Sequence, residues 1–149
     1  ISMISKYLKR FILCGFAGWC LECFWTGLGS IITASDKTLP CRTSVWMFPI
    51  YGTAMLIVPI SKRLKGKSIL IRGGIYTILI FLVEFITGSI LSFFHLCPWD
   101  YSQAKFQIHG LIRLDYAPVW FLTGLFFEKL LNESHRISLF KIVYGNKKN

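Results

Sequence analysis

Four apolar runs dominate this chain, over residues 11–32, 45–60, 69–96 and 111–131. A hydrocarbon layer about 30 Å thick is crossed by roughly 20 helical residues. The first run has 22 residues and one charge, Glu22. The third has 28, with Arg72 near its start and Glu84 inside. The second is short, at 16 residues, and holds Pro49 and Pro59. The fourth begins at Tyr116, or at Leu111 if its polar lead-in dips into the lipid. Barrel strands would be about 10 residues long and would alternate strictly. These runs are longer and do not alternate, so the expected elements are helices. Charged residues make up only 16% of the chain, against roughly 25% in an ordinary soluble domain. The expectation is an all-α integral membrane protein, a four-helix transmembrane bundle. Residues 1–131 would form its single transmembrane domain and residues 132–149 a basic cytoplasmic tail.

A net charge of +10 invites a nucleic-acid reading, but the placement of the charge argues otherwise. Lys6, Lys9 and Arg10 precede the first run; Lys62, Arg63, Lys65, Lys67 and Arg72 lie between or beside the second and third; Lys129, Arg136, Lys141, Lys147 and Lys148 end or follow the fourth. On a four-span topology this puts 13 of the 17 basic residues on one side. Only Lys37, Arg42, Lys105 and Arg113 fall on the other. Cytoplasmic loops carry such an excess, so both termini are expected in the cytoplasm, with no nucleic-acid partner. The basic residues could also attract anionic lipid. The first run is too long for the apolar region of a cleavable leader and lacks a small-residue cleavage site, so it reads as a retained span. The chain has no P-loop pattern and no room for a nucleotide-binding domain, and no cofactor is expected.

Glu22 and Glu84 sit deep in their runs. A single acidic residue at such a depth costs roughly 2.5–3.5 kcal/mol on insertion scales. Each must be protonated, paired, or turned toward a polar cavity. As function, the two would form a buried polar or substrate site for a proton, a cation or a cationic group. As structure, they would hydrogen-bond between helices. Their contexts are similar: Glu22 is followed by Thr26-Gly27 and Glu84 by Thr87-Gly88. The second run has Pro49-Ile50-Tyr51-Gly52-Thr53, and the fourth has Pro118-Val119-Trp120 and then Thr123-Gly124. Each half could be a helical hairpin, the two being parallel repeats of one orientation. Gly15, Ala17, Gly18, Gly27 and Gly29 in the first run, and Gly73, Gly74 and Gly88 in the third, suit close helix packing.

The segment between the third and fourth runs is rich in polar and aromatic residues. Trp99 and Tyr101 suit a membrane–water interface. Asp100 could cap a short turn. Gln107 and His109 alternate with Phe106 and Ile108, as in an extended or re-entrant piece. Arg113 could pair with Asp115, or Asp115 could cap the fourth helix. Trp99, Asp100, Tyr101, His109 and Arg113 are therefore outer-loop site candidates, for substrate access or for loop structure. His109 with Asp100 or Glu84 supplies the parts of an acid–base site, without fixing their distance. Cys20 and Cys23 form a C-x-x-C, a spacing shared with thiol redox sites, although buried cysteine is commonly a small hydrophobe. Cys41 and Cys97 fall in the two outer loops and could pair. No set of residues has metal-ligand spacing.

Several stretches resemble one family: Gly15 to Glu22 (GFAGWCLE), Ser44 to Gly52 (SVWMFPIYG), Glu84 to Gly88 (EFITG), Pro98 to Ser102 (PWDYS) and Gly110 to Trp120. Together the chain resembles the CmpB-like family of bacterial membrane proteins named as ABC-transporter permeases, which is similar to the eukaryotic transmembrane protein 229 family. The resemblance implies a small multi-pass protein of the plasma membrane. It carries over no catalytic residues. On this footing the expected function is a permease-like transport component that uses Glu22 and Glu84. Four spans are few for a pore, so the partners would be lipid and a second copy, or another membrane or ATPase subunit. The alternatives are a structural or regulatory membrane subunit, and a membrane-embedded enzyme acting on lipid or thiol.

Overall fold

The structure is a computed structural model that describes the backbone over residues 2–145 and side chains over residues 3–137. It is mostly helical and divides into two compact units, residues 1–55 and 56–149.

The first unit is built on α1, Ser2–Ala34, 33 residues long. No proline interrupts it. It ends where Ser35 turns left-handed (φ 51°) and its N–H bonds the Ile31 carbonyl at 3.1 Å, an arrangement that satisfies a carbonyl left open at a helix end. Helix α2, Met47–Gly52, packs against α1. A 3-10 turn over Thr53–Leu56 follows, then α3, Ile57–Arg63. The second apolar run is thus not one regular helix. Proline lacks the N–H of an interior helical bond and is tolerated in a first turn. Pro49 and Pro59 each occupy the third position of a short helix, so the chain restarts its helix before the second proline.

The second unit holds α3, α4 (Ile69–Phe93) and α5 (Ala117–Gly145). Ser68 caps α4, its hydroxyl accepting the Ile71 N–H at 3.4 Å. At the far end the His95 N–H bonds the Ser92 carbonyl and the Leu96 N–H bonds the Leu91 carbonyl. This is a Schellman closure with His95, not glycine, in the left-handed position (φ 58°). Helix α4 ends five residues before Pro98. Between α4 and α5 lies a small hairpin, β1 (Gln107–Ile108) antiparallel to β2 (Ile112–Arg113). His109 (φ 52°) and Gly110 (φ 68°) form its turn. Left-handed geometry at two successive positions is what a hairpin turn of this hand requires. Residues 107–108 are extended, one of the two forms expected of them. A 3-10 turn over Leu114–Tyr116 leads into α5, with Pro118 in its first turn. Helix α5 runs through Leu131 and on to Gly145.

Glycines meet aromatic rings in both helix pairs. On α1 and α2, a Cβ at Gly15 would strike Phe48, one at Gly18 would strike Tyr51, and one at Gly52 would strike Phe11. On α4 and α5, Gly73 receives Phe121 and Gly124 receives Tyr76. Tyr76, Phe127 and Leu131 are the most buried large side chains of the second unit, as Cys14 is of the first.

Candidate functional site

Glu22 lies on α1 and is met from α2. The Tyr51 hydroxyl donates to its Oε1 at 2.7 Å. The ring reaches across because Gly18, one turn before Glu22, has no side chain: a Cβ there would stand 2.0 Å from Tyr51 Cγ. One turn after Glu22, the Thr26 hydroxyl donates to the Glu22 carbonyl at 2.8 Å and accepts the Arg42 N–H at 2.9 Å. The connecting loop is thereby drawn back along α1. Its contacts descend the helix in order: the Asp36 N–H on the Ser30 carbonyl, the Leu39 carbonyl over Gly27, Arg42 on Thr26, and the Ser44 carbonyl accepting the Trp19 indole N–H at 3.0 Å. Residues 36–44 form a strap past the level of Glu22.

Glu84 is buried on α4. One turn later, Gly88 is covered by the following loop, with Leu111 and Trp99 each 2.9 Å from a Cβ placed there. The Trp99 indole N–H donates to the Leu111 carbonyl at 3.1 Å, and the His109 ring stands edge-on to Phe85 at 6.2 Å. In both units the Thr-Gly step after the glutamate is where the next loop folds back onto the helix. The two threonines differ in their partners: Thr26 bonds its strap, whereas the Thr87 hydroxyl donates to the Val83 carbonyl of its own helix.

The outer-loop candidates separate into two groups. Trp99, Asp100 and His109 line an open crevice of about 350 Å³, joined by His95, Cys97 and Ser92. Tyr101 and Arg113 do not line it. The Tyr101 ring stands edge-on to Tyr116 at 5.7 Å. Arg113 bonds Asp115 at 2.9 Å and lies 4.5 Å over the Tyr116 ring. The pairing of Arg113 with Asp115 is one of the two arrangements expected of them. Asp100 Oδ1 accepts the Ser102 N–H at 2.9 Å, and the Ser102 backbone and hydroxyl together hold its carboxyl below the usual range. Both crevice histidines have left-handed backbones, a conformation that non-glycine residues adopt where the surroundings impose it. Among the described residues no three His, Cys, Asp or Glu side chains converge to hold a metal ion.

Sequence reasoning did not single out Tyr51 as a partner of Glu22, His95 as a neighbour of His109, or Glu128. Glu128 accepts from the Tyr76 hydroxyl and pairs with Arg72 at 3.2 Å. The signal for Tyr51 was its place in Phe-Pro-Ile-Tyr-Gly, but only the helix register shows which carboxylate it meets. Cys41 Cβ stands 3.8 Å from a Cβ placed on Gly27, and Cys97 donates to the Trp99 carbonyl at 3.3 Å.

A family model described as "Putative ABC-transporter type IV", the CmpB group, matches residues 10–145. The chain belongs to this family. The CmpB match takes in both glutamates, the strap and the outer crevice. No solved structure matches the chain.

Proposed function

We propose that this CmpB-family chain is a membrane-spanning, permease-like transport component with a buried polar site in each unit, at Glu22 in the first and at Glu84 in the second. It crosses the plasma membrane four times with both termini in the cytoplasm. Two helices, Met3–Ala34 and Ile69–Phe93, are long and apolar enough to span, and only 22% of the most apolar stretch of each is buried within the fold. Their outward apolar faces suit lipid or a second copy. The family name points to an ATPase carried on a separate chain as the further partner.

The observation that carries the reading is Glu22, midway along an apolar helix and held at 2.7 Å by Tyr51. A carboxylate in that position has a proton to gain or lose where few other groups do. Beside it the strap brings irregular backbone to the same level, and non-helical backbone at membrane depth is tolerated where it is buried or lines a cavity. Within the second unit, the crevice with Asp100, His95 and His109 lies at the end of α4, the helix that carries Glu84, and provides an approach to it. A structural subunit would need the same hydrogen bond only as glue, worth about 0.6 kcal/mol on average in membranes.

The two readings separate on Glu22→Gln and Glu84→Gln. Glutamine keeps the shape and the hydrogen bonding but cannot carry the charge. For a transport site, both variants keep their detergent-solubilised yield and lose transport or the associated growth phenotype. Wild-type activity in both would sink the transport site and leave the structural subunit.

A further inference from the structure

The turn from α3 to α4 carries four exposed cations, Lys62, Arg63, Lys65 and Lys67. Among the described residues, none of the four enters an ion pair or a side-chain hydrogen bond. Every described ion pair of the second unit uses another cation: Arg72 with Glu128, Arg113 with Asp115, Arg136 with Glu133. The turn is nonetheless braced. The Lys67 N–H bonds the Leu64 carbonyl at 3.0 Å, across Gly66 in the left-handed region (φ 85°). The Arg72 guanidinium donates to the Lys67 carbonyl at 2.8 Å and to Glu128 of α5 at 3.2 Å. Four like charges held this close repel one another, and an external anion would relieve them.

Apolar surface begins where the turn ends. Ile69, Leu70 and Ile71 are exposed. Leu70, Gly74 and Thr77 follow at steps of four and three residues, which puts them on one stripe of α4. The stripe leads into an open groove of about 560 Å³ between α4 and α5, lined by Gly74, Thr77, Ala117, Pro118, Phe121 and Leu122. Gly74 leaves the groove open, for a Cβ there would have nothing within 4 Å. Thr77 keeps it apolar, because its hydroxyl donates to the Gly73 carbonyl of its own helix at 2.8 Å. Gly74 is five residues from Ile69, about 7.5 Å along the helix. A cationic mouth that opens onto an apolar groove suits a phosphate head on an acyl chain. An acidic protein segment would match the cations and leave the groove and Ile69, Leu70 and Ile71 uncovered.

We infer that the α3–α4 turn and the α4–α5 groove form a site for one anionic phospholipid of the inner leaflet, with its phosphate against Lys65 and Lys67 and an acyl chain along Gly74 and Thr77. The inference rests on the membrane-spanning reading of α4 and not on the transport site.

The test uses the full chain, stripped of lipid in a neutral detergent, with bound probe counted by native mass spectrometry. The probes are dioleoylphosphatidylglycerol, dioleoylphosphatidylcholine, glycerophosphoglycerol (the headgroup without chains) and polyglutamate. One phosphatidylglycerol is expected to bind in preference to phosphatidylcholine. Lys65→Gln with Lys67→Gln should weaken it about thirtyfold, the worth of two basic residues near an anionic headgroup. Lys6→Gln with Lys9→Gln, the same charge removed from α1, should leave it unchanged. Gly74→Leu fills the groove and should weaken it several-fold at unchanged helical content, since leucine is the better helix former. Equal binding of the two lipids, wild-type binding in the Lys65/Lys67 variant or in Gly74→Leu, or an equal loss in the Lys6/Lys9 variant would overturn the inference. Glycerophosphoglycerol binding as tightly as the lipid would overturn it without recourse to Gly74→Leu, should that variant not accumulate. Polyglutamate binding more tightly than the lipid would replace it with an acidic protein partner. Carbonate extraction of native membranes checks the underlying reading: a chain that is released overturns both, and one that stays but shows no lipid preference overturns this inference alone.

Discussion

Glu22 shows how a costly residue is accommodated by a neighbour's absence. Gly18 has no Cβ, so the Tyr51 ring crosses α1 and its hydroxyl reaches the carboxylate. The loops after α1 and α4 handle their carboxylates differently. Asp100 and Asp36 each accept the backbone N–H of the residue two ahead, Ser102 and Thr38, at 2.9 Å. These bonds favour the charged form, and both carboxyls lie below their ordinary range. The sign of the pH dependence follows. A carboxyl whose folded value is lowered contributes stability that is complete above its unfolded value, about 3.9. That contribution is lost as pH falls through the lower, folded value. The Ser102 amide should therefore keep constant hydrogen-exchange protection, corrected for the intrinsic rate, from pH 7 to about 4, and lose it only below. In Asp100→Asn the protection should not change across that range. Protection lost near pH 6 in the wild type would show that another group holds the turn.

At the scale of elements, each helix pair is set by glycine on one helix receiving an aromatic side chain from the other, and the exchange runs both ways. Gly18 takes Tyr51 and Gly52 takes Phe11; Gly73 takes Phe121 and Gly124 takes Tyr76. Gly29 faces open space. Adding a methyl group where a Cβ would come within 2.0 Å of Tyr51 or 2.4 Å of Tyr76 forces the helices apart. Gly18→Ala and Gly124→Ala should each lose about 1–3 kcal/mol, the usual cost of overpacking. Gly29→Ala should be neutral or slightly stabilising, since alanine is the better helix former. Thermal unfolding in detergent distinguishes them, and equal shifts for all three would show that these contacts do not set the packing. Hydropathy made the long helices legible because burial of apolar length is a local property of the chain. The strap was not legible in this way. Residues 36–44 read as a plain outer loop, because their hydrogen-bond partners are Ser30, Thr26 and Trp19 of a helix that precedes them.

For the whole molecule, the proposed orientation rests on the 13 basic residues that a four-span topology puts on one side. In intact cells, single cysteines placed at positions 37 and 105 of a cysteine-free variant should react with an impermeant maleimide, and those at 65 and 141 should not. Reaction at 65 from outside would reverse or break the four-span topology while leaving the fold of each unit untouched. Within the second unit, Glu128 with Arg72 and Tyr76 ties α5 to α4. Arg72 is counted among the cytoplasmic charges from its position alone, yet its guanidinium is also a packing partner.

The sequence by itself determined that this chain is helical, where its long apolar helices lie, that two carboxylates sit inside them, and which family it belongs to. Those properties follow from composition along short windows and from motifs that need no spatial neighbour to be read. Tertiary structure decided which groups meet: Tyr51 with Glu22, His95 with His109 and Asp100 around one crevice, and Glu128 with Arg72 and Tyr76. It also decided that the second apolar run breaks at a 3-10 turn and that a loop returns along α1. The physical reason is the same in each case. Helix register and loop path depend on where a missing Cβ lets a ring or a carbonyl approach, and that is a property of two surfaces at once.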